Sequence, residues 1–118
     1  MIKHNPKWIY LLKVYEADGP TYKIGYTKND PKKRTPQLQT GNKNEIEIKH
    51  VFWSEYSTRL EANLHKFYSH YRQRGEWFNL PPEVVKNFIS ICEKQESNLK
   101  LLAESNMYLQ DLNQRKES

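Results

Sequence analysis

Trp8-Ile9-Tyr10-Leu11-Leu12-Lys13-Val14-Tyr15, then Glu16-Ala17-Asp18-Gly19-Pro20, then Thr21-Tyr22-Lys23-Ile24-Gly25-Tyr26-Thr27: this stretch decides the fold. Both flanks are rich in β-branched and aromatic residues, and Asp18-Gly19 between them is a turn signal, so the stretch reads as a β-hairpin. Side chains alternate across a strand, which sends Ile9, Leu11 and Lys13 to one face and Tyr10, Leu12 and Val14 to the other. Gly25 lies inside the second strand, where glycine marks a bulge or a close backbone approach.

The residues before the hairpin, up to Lys7, read as loosely ordered. After it, Asn29 or Asp30 can cap a helix with Pro31 in its first turn, or Thr35 can cap a shorter one beginning at Pro36; Gly41 ends either. A third strand is expected over 46–53, where Ile46, Ile48, Val51 and Trp53 carry the apolar character. Its alternation slips near His50, which marks a possible bulge. A helix follows over 58–72, with Leu60, Leu64, Phe67 and Tyr71 at helical spacing and Glu61, His65, Tyr68 and Arg72 on the neighbouring stripe. Residues 76–80 read as extended, and Pro81-Pro82 opens a long helix from 83 to about 113.

At 118 residues, with 36% hydrophobic residues and a mean hydropathy of −0.98, the chain is one domain plus an appendage, with a small core. Much of that core must come from three tryptophans, eight tyrosines and four phenylalanines. The division expected is a body over 1–82 and a helical extension over 83–118. The body holds 14 Lys and Arg against 8 Asp and Glu, the extension 5 against 6. A basic body with a near-neutral tail places any polyanion-binding surface on the body. The single cysteine, Cys92, excludes an internal disulfide and suits a reducing compartment. No run approaches the length needed to span a bilayer, so an intracellular, soluble chain is expected.

Trp8-Ile9-Tyr10 followed by Lys23-Ile24-Gly25 resembles the paired tripeptides of the GIY-YIG nuclease superfamily. The same order continues with Arg34, Leu38-Gln39-Thr40-Gly41-Asn42, Leu60-Glu61 with Leu64-His65, and Gly75-Glu76-Trp77-Phe78. That series is similar to the branch found in phage and viral proteins and covers residues 8–80. Trp8 stands where the family has glycine, Lys23 where it usually has tyrosine, and Leu38 where a histidine is often found. The resemblance implies an α/β (α+β) fold: a small three-stranded mixed sheet from 8–16, 20–27 and 46–53, flanked by helices, with a long C-terminal helix.

The resemblance also assigns chemistry. Phosphodiester hydrolysis needs a water nucleophile, a base, a Lewis acid on the phosphate and a cation for the developing charge. Glu61 is the sole protein carboxylate on a divalent metal, and a hard cation such as Mg²⁺ or Mn²⁺ suits one carboxylate plus waters and phosphate oxygens. Read from the residues alone, Thr58-x-x-Glu61 is first a capping box, and it is the resemblance that makes Glu61 the metal ligand. Tyr10 acts on the attacking water; a free phenol ionises near ~10, so Lys23 and Arg34 must lower it. Arg34 matches the arginine on the scissile phosphate, where a bidentate donor is apt. His65, Glu76 and Lys33 stand in support. His65 follows Glu61 by four residues, a spacing that fits a metal pair.

The expected function is a metal-dependent DNA endonuclease that contacts nucleic acid through Lys32, Lys33, Arg34, Arg72 and Arg74. The alternatives are a non-cleaving nucleic-acid-binding module of the same fold and a scaffold acting through its tail. Leu99, Leu102, Asn106 and Leu109 recur at coiled-coil steps, so a homodimer through residues 99–113 is expected.

Overall fold

The computed structural model describes residues 2–33 and 46–117, with side chains described as far as 105. The hairpin is present: β1 (Lys7–Glu16) and β2 (Gly19–Thr27) pair antiparallel in the register Tyr10–Gly25, Leu12–Lys23 and Val14–Thr21. β3 (Ile46–Ser54) lies on the other side of β1, also antiparallel. The expected slip is there, since Leu11 faces His50 while Leu12 faces Ile48, a bulge that passes over Lys49.

The expected three-stranded mixed sheet is corrected. The sheet has five strands in the order β3-β1-β2-β5-β4, and every pairing is antiparallel. β3 runs in the same sense as β2 but sits beside β1, so its actual neighbour is antiparallel. The two added strands come from the end of the expected 58–72 helix. α1 (Ser57–Phe67) stops at Tyr68, a 3-10 turn spans Ser69–Tyr71, and β4 (Arg72–Arg74) then pairs with β5 (Trp77–Phe78). Gly75 at φ +53 makes that reversal possible. Ending the helix early leaves Phe67 49% exposed and turns Tyr68 into the core at 2%, against the reading of the helical stripe.

The alternation read from β1 sorts the two faces. Ile9, Leu11, Tyr22 and Ile24 pack beneath α1 with Leu60, Leu64, Tyr68 and Phe78, and this core continues into Val85, Phe88, Cys92 and Leu99. Tyr10, Leu12, Val14 and Ile46 cluster on the opposite face with Ile48, Val51 and Trp77. The long C-terminal helix is two: α2 (Pro82–Lys86) and α3 (Phe88–Glu117), broken at Asn87. Val85 before the break and Phe88 after it are both buried in the core. Glu96 ties α3 to the end of β3 by accepting hydrogen bonds from Ser54 Oγ (2.7 Å) and the Glu55 amide (2.8 Å). Leu99 faces this core at 2% exposure while Leu101 and Leu102 are more than half exposed; Asn106 and Leu109 of the expected seam lie outside the described side chains.

The N-terminal residues are tied down rather than loose. The Asn5 amide donates to the Glu55 carbonyl (2.8 Å), the Ser57 amide to the Asn5 carbonyl (3.2 Å), and Asn5 Nδ2 to Thr58 Oγ1 (2.6 Å). Asp30 is the cap after β2: its Oδ1 accepts from the Lys32 amide at 3.0 Å, with Pro31 in the first turn. The expected helix around Pro36 and its end at Gly41 lie outside the described residues.

Gly25 is a close approach and not a bulge. A Cβ there would overlap the Tyr10 hydroxyl and lie 2.6 Å from its Cζ, while Tyr10 is only 9% exposed. Gly25→Ala should therefore destabilise the chain by about 1–3 kcal/mol, the usual cost of overpacking. Urea denaturation of both proteins checks it, and an unchanged midpoint would mean that the tyrosine ring can be displaced freely.

Candidate functional site

β5 reaches β2 only at Tyr22 and Lys23, so the edge of β2 beyond Lys23 needs another partner. The side chain of His65, from the last turn of α1, supplies it: Nε2 lies 2.9 Å from the Ile24 carbonyl oxygen. A carbonyl only accepts, so Nε2 carries the proton and donates. The other nitrogen, Nδ1, faces Arg72 Nη2 at 3.5 Å, and the ring meets Phe78 edge-on at 5.2 Å. His65 is therefore held as the Nε2–H tautomer, with both nitrogens engaged. It fastens helix to sheet.

That fastening sets the position of Glu61, one helical turn earlier. Its Oε1 lies 3.8 Å from His65 Nε2, and its side chain is 17% exposed. The capping-box reading fails, because the helix begins after Tyr56 without a side-chain cap and the Thr58 hydroxyl takes its hydrogen bond from Asn5. Glu61 also feels the charges of Glu76 and Lys23. Those two pair with each other at 3.5 Å across the β2–β5 junction, where Lys23 also lies 6.0 Å from the centre of the Trp77 ring.

The structure thus brings Glu61, His65, Lys23, Glu76 and Arg72 together around the edge of β2. Lys23 shares a face with Leu12 and Trp77, its partners in register, while α1 covers the other face, so the group forms around the strand edge. Tyr10 rises on the Lys23 face with its hydroxyl over Gly25, the residue after Ile24. Arg34 lies outside the described residues. Lys32 and Lys33 stand exposed in the turn after β2. Arg72 and Arg74 separate, because the strand pairing slips between them and sets Arg72 against Phe78 but Arg74 against Trp77. Arg72 stacks on the Phe78 ring at 5.6 Å, whereas Arg74 borders a small cavity with Glu16, Thr21, Gln73 and Trp77. Sequence reasoning missed the Lys23–Glu76 pair and the His65 link to Ile24. Only the glycine in Gly75-Glu76 hinted at the hairpin that makes the first.

Among the described residues, no three His, Cys, Asp or Glu side chains form a metal-holding group. No described helix is long and apolar enough to cross a membrane.

The family model that matches is the T5orf172 domain, over residues 7–93. The resemblance to the GIY-YIG superfamily is corrected by that match: the family found is the T5orf172 domain, and no GIY-YIG family matches. The series that carries the resemblance already departs at Trp8, Lys23 and Leu38, whereas the matching pattern is drawn over 87 positions. No curated protein and no solved structure matches.

Burial raises the Glu61 carboxyl to about 7; the charge of Glu76 adds to the rise and Lys23 opposes it. The folded chain holds this proton more tightly than the unfolded chain, whose glutamate titrates near ~4.3. The stability linked to it is full below that value and is lost as pH climbs from about 4.3 to about 7. Measured against Glu61→Gln, the wild type should lose about 1–3 kcal/mol across that window and stay level above it. A difference between the two that does not change with pH would show that the carboxylate remains well solvated.

Proposed function

The chain belongs to the T5orf172 domain family, a family of nuclease-like, DNA-binding domains, and on that premise we propose that it is a divalent-metal-dependent DNA endonuclease. The observation that carries the reading is the convergence at the β2 edge of Glu61 with Lys23, Glu76, His65 and Arg72.

Glu61 has the character of a ligand for a hard cation. Its carboxylate is mostly buried, its contact with His65 is beyond hydrogen-bond length, and Glu76 adds negative charge nearby. A divalent cation such as Mg²⁺ or Mn²⁺, completed by waters and phosphate oxygens, would supply Lewis acidity at the phosphate. In this reading Lys23 holds the phosphate, and breaking its pair with Glu76 frees the ammonium for substrate and the carboxylate for the metal side. Arg34 is the bidentate phosphate donor. Tyr10, fixed over Gly25, orients the attacking water and, acting as the phenolate, takes up its proton as the new P–O bond forms and the bond to the departing sugar oxygen breaks. His65 positions Glu61 by its hold on Ile24. Residues 99–113 of α3, where Leu101 and Leu102 stand exposed, are where a second copy would meet this one if both strands are cut.

Plasmid nicking in Mg²⁺ should fall at least about a hundredfold in Glu61→Gln, while duplex binding in EDTA is kept. If wild type and variant both bind and neither nicks, the domain is a binding module. Binding should also weaken with salt at a slope of about 0.9 per phosphate contacted, and Lys33→Ala should lower the slope by about 1. A flat salt response would rule out the electrostatic mode.

A further inference from the structure

On the face that carries Tyr10 and Lys23, the sheet ends in two indoles that the catalytic reading does not use. Trp8 and Trp53 are partners in the β1–β3 register, and their rings meet edge-on, with centroids 5.2 Å apart and planes at 72°. An edge-on pair leaves indole faces uncovered that a stacked pair would hide, and Trp53 is 45% exposed. Cross-strand aromatic packing explains the pairing, but not why an indole is left 45% exposed.

Three features around the pair share one chemistry. Trp8 lies two residues from Tyr10 on the same strand face, about 7 Å along β1. Trp8 is also the register partner of Thr27, the last residue of β2. The chain leaves that point into Lys28, Lys32 and Lys33, all exposed, so Trp8 sits where the basic turn begins and Trp53 one strand farther, on β3. An open indole two strand spacings, about 10 Å, from that basic turn suits a nucleotide whose base is free to stack and whose phosphate is anionic. A duplex conceals its base faces; an unpaired strand presents them.

We propose that Trp8 and Trp53 form a base-stacking platform, with Trp53 as the contact surface, and that the substrate strand is unpaired where it crosses Tyr10. This rests on the nucleic-acid reading above and deepens it by naming single-stranded or locally opened nucleic acid as the substrate class. The base sits on Trp53, its phosphates lie toward Lys28 and Lys33, and the next phosphodiester falls near Tyr10 and Lys23. Stacking of this kind tolerates any base, so the platform selects for strand state and not for sequence.

The test is fluorescence anisotropy of the full chain in EDTA, with a labelled oligothymidine of about 12 nucleotides and a labelled duplex of the same length. Trp53→Ala should weaken oligothymidine binding about tenfold or more and leave duplex binding within about twofold. Trp53→Phe, which keeps a ring and the strand pairing, should retain most of the affinity. Oligothymidine binding unchanged in Trp53→Ala overturns the platform, as does an equal loss on both probes. If the wild type binds duplex and nicks plasmid while Trp53→Ala behaves like it on oligothymidine, the platform alone fails. If the wild type binds neither probe, the nucleic-acid reading fails with it.

Discussion

The hydrogen bond from His65 Nε2 to the Ile24 carbonyl is the constraint on which the site depends. A buried strand edge cannot leave its backbone groups unpaired, and β5 is too short to serve β2 past Lys23. Closing that edge with a side chain instead of a strand brings the last turn of α1 against β2. Glu61 then follows from helical geometry, because residues four apart share a face. A carboxylate on a core-facing helix is carried to the rim of the sheet, within the influence of Lys23 and Glu76.

That arrangement sets stability against chemistry. Glu61 is largely withdrawn from water, close to another acid, and its carboxyl is raised to about 7. Nothing in the packing of α1 on Ile9, Leu11 and Ile24 requires a carboxylate there, and an apolar residue would bury without penalty. Functional sites are where such local conflicts with folding are retained. The neighbouring Lys23–Glu76 pair is partly exposed, so it contributes little to stability.

Much of the body was legible because its signals are local. The β1–β2 hairpin, the two faces of β1, the bulge near His50 and the proximity of Glu61 and His65 follow from alternation, turn residues and helical spacing. The parts misread were those where distant pieces compete for one segment. Arg72-Gln73-Arg74 carries no apolar pattern to end a helix, yet it becomes a strand because Gly75 lets it fold back on Trp77 and Phe78 against the free edge of β2. The capping box at Thr58 was a sound local reading, but Asn5, more than fifty residues away, took the hydroxyl it needed.

The sequence by itself determined the first three strands, the body of α1 and the stock of basic, acidic and aromatic groups, since periods of two and of 3.6 are written in nearest neighbours. Only the tertiary structure decided that Lys23 pairs with Glu76, that Arg72 and Arg74 part company, and that Trp8 meets Trp53 beside an open surface. Each depends on the register between strands far apart in the chain. Register is set by how a whole face is buried, a property that no single stretch of residues carries.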